Sequence, residues 1–276
     1  MKKKLRELQL IDVDILNAVV KILNKYHLKY YLIGGTLLGA VRHQGFIPWD
    51  DDMDIAMPRK DYDIFLNKYY KELPSHLSIK NFQNDLKYKY YISRIIDQRY
   101  WVREVRDKSS QDSLINVSID IFPIDGTPNN EIARNIYYLR IMYYRALISL
   151  IQKNNIDFER NRNFLERLMI IIGTHIPLDK FFSTNKLQYK IDKILKQQAS
   201  NSKFAGTIMG AYRTREIVPR YFFGGGANVR FEGKIYVGPQ KYDEYLTHMY
   251  GNYMQLPSKK EQKQKRHFEI LKSKGD

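Results

Sequence analysis

The stretch Ile47-Pro48-Trp49-Asp50-Asp51-Asp52-Met53-Asp54-Ile55-Ala56-Met57 decides how this chain is read. Side chains on an extended strand alternate between two faces. With an early strand start, Asp50, Asp52 and Asp54 share one face, and Asp51, Met53 and Ile55 share the other. The regular strand is expected over residues 52–56, closed by Pro58, with its apolar side in a core. Crowded carboxylates repel: two at ~4 Å cost about 1 kcal/mol in bulk water, and more where the dielectric falls. A divalent cation removes that cost, and Mg²⁺ takes one or two carboxylates together with substrate phosphate oxygens. The stretch is therefore expected to bind Mg²⁺ (or Mn²⁺) through Asp52 and Asp54. A solvated acidic turn is the alternative, but it would need neither the apolar flanks nor the alternation.

Upstream, the apolar run at residues 30–33 reads as a strand that ends at Gly34, Gly35 and Thr36. Thr36 is expected to cap a short helix through about Arg42. Glycine lets the backbone approach a ligand closely, and a helix N-terminus points N–H groups at an anion. The three residues thus form a candidate phosphate turn, although the pattern is neither G-x-G-x-x-G nor a Walker loop. Phosphate on this turn could be bridged to metal on the acidic strand. Arg42 suits a bidentate phosphate clamp, whereas His43 reads equally as a surface residue.

A third acid, Asp120, lies within the apolar run Ile119-Asp120-Ile121-Phe122. A carboxylate there is costly to bury without a partner. If its strand lies beside the first acidic strand, Asp120 completes the metal site or accepts a proton from an acceptor hydroxyl. Satisfaction by backbone N–H groups is the plainer reading. Asp125, in Asp125-Gly126-Thr127-Pro128, reads as a turn residue.

The remaining 276-residue chain sets the context. Its formal charge of +16 favours a polyanionic partner such as a nucleotide, nucleic acid or anionic membrane. With no cysteine there is neither a disulfide framework nor a thiolate metal site. Glu7, Asp12 and Asp14 interrupt what would be the apolar part of a signal peptide. No run approaches the ~20 apolar residues of a spanning helix; the longest, at 168–172, is too short. A cytoplasmic protein, at the inner face of the membrane, is the expectation.

Apolar spacing predicts an amphipathic helix over 5–25 and another over 60–72. Strands are expected near 77–82, 88–96, 99–105 and 115–122. From residue 131 the pattern turns basic, aromatic and helical, over 131–153, 157–172 and 181–198. A hairpin around 231–237, a helix over 241–249 and a basic helical tail after Pro257 complete the reading. The fold class is α+β, with residues 1–130 as catalytic core, 131–205 as a helical region, and 206–276 as a C-terminal segment completing the site.

Residues 34–43 (Gly-Gly-Thr-Leu-Leu-Gly-Ala-Val-Arg-His) and 45–55, together with 118–125, Phe231-Glu232-Gly233 and 250–257, resemble the LicD family of phosphotransferases. The resemblance is strongest over 30–60 and has no motif in the middle of the chain. It implies a nucleotidyltransferase-like mixed sheet with flanking helices and a basic helical second part. It further implies Asp52 and Asp54 as metal ligands, with Asp50 and Asp120 joining them, and Gly34, Gly35 and Thr36 as the phosphate turn. LicD proteins transfer phosphocholine from CDP-choline to sugars of teichoic acid or lipopolysaccharide, while fukutin-type relatives use CDP-ribitol. The donor would then be CDP-linked and the acceptor a lipid-linked glycan, reached by peripheral contact with an anionic membrane. Without cysteine, the cysteine-containing zinc site of some fukutin-type relatives is excluded.

Choline's quaternary ammonium calls for aromatic rings. Trp49, beside the acids, is the first candidate, with Tyr221, Phe222 and Phe223 behind it. Arg213, Arg215 and Arg220 read either as phosphate ligands or as a solvated basic face, and Glu232 as catalytic or structural. Two other classes stay open: a nucleotidyltransferase using an NTP on a small-molecule or RNA acceptor, and a non-catalytic anion-binding module. The absence of RRM, KH or zinc-knuckle patterns, and acids that would repel a polyanion, leave nucleic acid the less expected partner.

Overall fold

The computed structural model describes residues 2–104, 114–152, 177–198, 201–259, 262 and 268–270. Helix α1 (Lys2–Lys25) buries Leu8, Ile15, Leu16, Val19, Ile22 and Leu23 along one stripe. Each such side chain contributes about 1.5–3 kcal/mol relative to exposure. Strand β1 (Tyr31–Leu32) leads into α2 (Gly34–His43), and β2 (Asp54–Pro58) into α3 (Arg59–Asn67). A single 3-10 turn, Tyr69–Glu72, completes the segment expected to be helical to residue 72.

Next come β3 (Leu77–Lys80), β4 (Ser93–Glu104) and β5 (Leu114–Gly126). The sheet order is β1-β2-β5-β4, with β3 antiparallel to β4. Among the described residues, only β2 and β5 run parallel within this sheet; their register pairs Asp54 with Asp120 and Pro58 with Ile124. The two strands expected at 88–96 and 99–105 form one strand with an irregularity between Asp97 and Trp101. Residues 88–92 stay outside it because Tyr88 and Tyr91 are drawn into a second core under the helices.

That second core is built by α4 (Glu131–Ile151) and α5 (Thr184–Lys196), through Tyr137, Ile141, Ile191, Ile194 and Leu195. Asn130 caps α4, its side-chain oxygen accepting the Ala133 N–H at 3.0 Å. The expected helix over 157–172 lies outside the described residues. Strands β6 (Phe204–Gly206) and β7 (Ile217–Pro219) extend the sheet from the end of β5. The hairpin β8 (Ala227–Phe231) and β9 (Lys234–Gly238) turns at Glu232 and Gly233, both at positive φ, as a tight hairpin requires. Helix α6 (Tyr242–Tyr250) follows. In the tail, β10 (Phe268–Ile270) pairs with β4, so this part is a strand rather than the helix expected after Pro257.

Asp125 is not a turn residue. It ends β5 fully buried, held by Arg59 Nε at 2.7 Å and Arg59 Nη2 at 2.6 Å. Asp192 and the Tyr91 hydroxyl join the same guanidinium. This cluster ties α3, β5 and α5 together at the end of β2 away from Asp54.

Candidate active site

The acidic stretch departs from a regular strand before Asp54. The Asp50 N–H donates to the Ile47 carbonyl at 2.9 Å, closing a turn over Pro48 and Trp49. Extended pairing therefore begins only at Asp54. Asp52 lies outside the strand, and strict face alternation does not hold. Asp51, expected on the opposite side, joins Asp50 and Asp52: each offers a carboxylate oxygen within 4.8 Å of the others.

Two glycines bring the helix start against these acids. A Cβ on Gly35 would sit 2.5 Å from Asp50 Oδ2, and one on Gly34 (φ +57) would sit 2.9 Å from Asp54 Oδ2. Only glycine leaves room for carboxylates so close to the turn. Helix α2 starts at Gly34, with Ile33 as N-cap, so Thr36 is not the cap. Its buried hydroxyl instead accepts the Asp54 N–H at 2.8 Å, fastening turn to strand.

The parallel register sets Asp120 beside Asp54, and Asp120 in turn opposes Arg94 on β4. Arg94 Nε donates to Asp120 Oδ1 at 2.8 Å, and its guanidinium lies 4.3 Å from the Tyr90 ring centroid. Burial alone would lower the Arg94 guanidinium, but Asp120 and the neighbouring phenols raise it above its ordinary value. Arg94 is thus the partner that Asp120 needed, and sequence reading missed it. The alternation of Arg94 with Ile95 and Ile96 gave no sign of which acid it would meet.

Burial first, then Asp52, Asp120 and Asp50, push the Asp54 carboxyl well above the usual range. The centre thus brings the carboxyls of Asp50, Asp52, Asp54 and Asp120 close enough to act on one another. All its donors are hard carboxylate oxygens, a set that fits a hard divalent cation. Asp12 on α1, also missed, is 1 % exposed and neither of its oxygens has a hydrogen-bond partner.

The other expected residues are placed as follows. Arg42 Nη1 donates to the Tyr253 carbonyl at 2.6 Å, holding the C-terminal segment beside α2. Burial lowers the Arg42 guanidinium while the nearby Asp50 raises it. Trp49 is half-buried, edge-on to His43 with centroids 6.2 Å apart. Tyr221 and Phe223 do not join Trp49. They line a recess of about 930 Å³ with Lys29, Lys60 and Arg220, beside Pro58. Pro58 is at the far end of β2, ~13 Å from Asp54 at ~3.3 Å per residue. Arg220 there is bound to the Ser202 carbonyl at 2.6 Å. Glu232 holds Arg6 at 2.6 Å and accepts the Phe46 N–H at 3.1 Å.

Two other aromatics lie within the electrostatic reach of the acids. Tyr212 and Tyr250 meet edge-to-face at 5.9 Å. Burial raises both phenols, and Asp50 contributes to each, with Asp52 acting on Tyr212 and Asp54 on Tyr250. Buried Glu216 accepts the Tyr212 N–H at 2.8 Å and so fixes this loop.

Comparison with known proteins places the chain among relatives. The family model described as LicD/FKTN/FKRP, nucleotidyltransferase domain, matches residues 27–147. The lipopolysaccharide cholinephosphotransferase LicD of Haemophilus influenzae is 30% identical over 267 residues, 95% of this chain and 96% of that protein. The human ribitol 5-phosphate transferase FKRP is 46% identical over 43 residues, 16% of this chain and 9% of FKRP.

Proposed function

The chain belongs to the LicD/FKTN/FKRP family, and from that premise we propose that it transfers phosphocholine from CDP-choline to a sugar hydroxyl of a cell-envelope glycan such as teichoic acid. The observation that carries the reading is the approach of the Asp50 and Asp54 carboxylates to the Gly34-Gly35 turn. A donor diphosphate at the helix start would lie beside carboxylates that a divalent cation could bridge to it.

Asp52, Asp54 and Asp120 would hold Mg²⁺, with Asp50 and Asp51 completing the acidic surround. When bound, the ion supplies charge neutralisation on the diphosphate oxygens. The turn at Gly34, Gly35 and Thr36 orients the diphosphate through backbone N–H groups. Arg94 keeps Asp120 in place, and Arg42 braces the C-terminal segment against α2. The acceptor hydroxyl attacks the phosphorus distal to cytidine; the P–O bond to CMP breaks, and the hydroxyl proton passes to a carboxylate of the centre. The Tyr212–Tyr250 pair would offer aromatic rings to the quaternary ammonium, and Trp49 next to Asp50 is a second candidate.

A peripheral membrane contact suits a lipid-linked acceptor. Among the described residues no helix is long and apolar enough to cross a membrane. Ile132, Ile136, Leu139 and Tyr143, however, form an exposed stripe at helical spacing on α4. Of the basic tail, Lys259 is described; Lys260, Lys263, Lys265 and Arg266 lie outside the described residues.

The test is release of CMP from CDP-choline, CDP-ribitol or CDP-glycerol, and of pyrophosphate from CTP, by the purified chain with Mg²⁺. Turnover confined to CDP-choline supports the reading. Turnover of CTP alone would favour an ordinary nucleotidyltransferase.

A further inference from the structure

Asp12 lies on the buried stripe of α1, one turn after Leu8 and one turn before Leu16. Such a position normally holds a leucine or valine. The side chain is 1 % exposed, yet Oδ1 and Oδ2 both lack a hydrogen-bond partner. An ionised carboxylate only accepts, so the neighbouring acids cannot satisfy it; it needs a donor or a cation. An unpaired charge of this kind is among the most expensive groups to bury.

The face of α1 that carries Asp12 is docked on the acidic centre. Gln9, one turn earlier and also buried, donates to the Asp50 carbonyl at 2.9 Å. Burial, followed by Asp52, Asp51 and Asp120, holds the Asp12 carboxyl well above its usual range. Those three acids belong to the centre itself. Asp12 is therefore close enough to feel its charge, but it is not one of the three acids whose oxygens converge within 4.8 Å.

We propose that Asp12 is an outer carboxylate of the cation site, accepting hydrogen bonds from water ligands of the ion held by the inner aspartates. Mg²⁺ sheds its waters reluctantly and keeps several of them when bound by proteins. Those waters are donors, and Asp12 offers two buried acceptors without donors. An outer group of this kind orients the ion's shell and characteristically contributes 10–100-fold, as an order of magnitude, to metal affinity. Asp12 is on this account a positioning residue. The inference rests on the reading of the acidic centre as a cation site.

The test uses the full chain without nucleotide, titrated with Mn²⁺ and followed by the electron paramagnetic resonance signal of the free ion. Wild type, Asp12→Asn and Asp12→Leu are compared, with melting temperatures in EDTA and in Mn²⁺. The expected result is Mn²⁺ affinity weakened about 10–100-fold in both variants. Asp12→Leu should melt in EDTA no lower than wild type, since it removes a buried carboxyl without hydrogen-bond partners, and its Mn²⁺-induced rise should shrink. Folded variants that bind Mn²⁺ within about twofold of wild type would overturn the inference and leave the cation site standing. So would a lower melting temperature in EDTA with an undiminished Mn²⁺-induced rise, which marks a purely structural role. Absence of Mn²⁺ binding by wild type itself would remove the site and the inference together.

Discussion

Asp54 and Asp120 are lateral neighbours on the parallel strands β2 and β5, and Arg94 holds the matching place on β4. Three strands thus set two carboxylates and one guanidinium in a row. The guanidinium is one positive charge beside two carboxyls in that row, and burial together with Asp52 and Asp120 holds Asp54 well above its usual range. That imbalance links the fold to the chemistry.

Replacing Asp52 or Asp54 by Ala should lower CMP release from CDP-choline by about 10²–10³-fold or more. The fold should survive, because each change relieves repulsion among acids. Melting temperatures in EDTA at or above wild type, beside lost turnover, are the expected pair of results. Near-normal turnover in both variants contradicts the site.

Gly35→Ala isolates the close approach of turn and acid. Its Cβ would meet Asp50 Oδ2 at 2.5 Å, and Gly35 is not among the residues with positive φ. The carboxylate has to shift, and a displacement of ~1 Å at a catalytic constellation can cost about 10²-fold. Steady-state kinetics and circular dichroism on the same preparation check this; unchanged kcat/KM would show that the approach is not needed.

The pH dependence follows from Asp54, whose carboxyl is raised by burial and by Asp52. A folded-state value above the unfolded ~3.9 means that the folded chain retains the proton longer. Without metal, the stabilisation is present below the unfolded value and is lost as pH rises through the folded one. Cation binding needs the ionised form and releases protons, so affinity falls as pH falls. The Mg²⁺-induced rise in melting temperature should therefore grow with pH, and Asp54→Asn should flatten that trend. A rise independent of pH in wild type contradicts the assignment.

Tyr212→Ala should weaken CDP-choline selectively. A cation–π contact contributes about 0.5–2 kcal/mol, roughly a 2–30-fold rise in KM. Binding of CMP, which lacks the ammonium, should change little. Equal losses for CDP-choline and CMP would assign Tyr212 to the nucleotide or to the loop instead.

The sequence made the centre legible where local chemistry decided it: the diglycine turn, the acids after Trp49, and Asp120 inside an apolar run. Asp54 and Asp120 could be named, but their register became visible only with β2 beside β5. The start of β2 was misjudged because the turn closed by Asp50 N–H and the Ile47 carbonyl displaces regular pairing to Asp54. Asp125 looked like a turn residue because its partner, Arg59, arrives from another strand end. Tyr212 and Tyr250 meet from two separate elements near the C-terminus, a convergence that no local pattern encodes. Asp12 carried a readable signal, an acid on the buried stripe of an amphipathic helix, which was set aside as a break in an apolar run.

The most direct measurement is a crystal of the chain grown with CDP-choline and Mn²⁺, with the ion located by its anomalous scattering. The account predicts Mn²⁺ among the Asp50–Asp54 and Asp120 carboxylates, in contact with the diphosphate at the Gly34-Gly35 turn. A donor bound there without an ion at these carboxylates, or an ion and donor bound elsewhere, would contradict it.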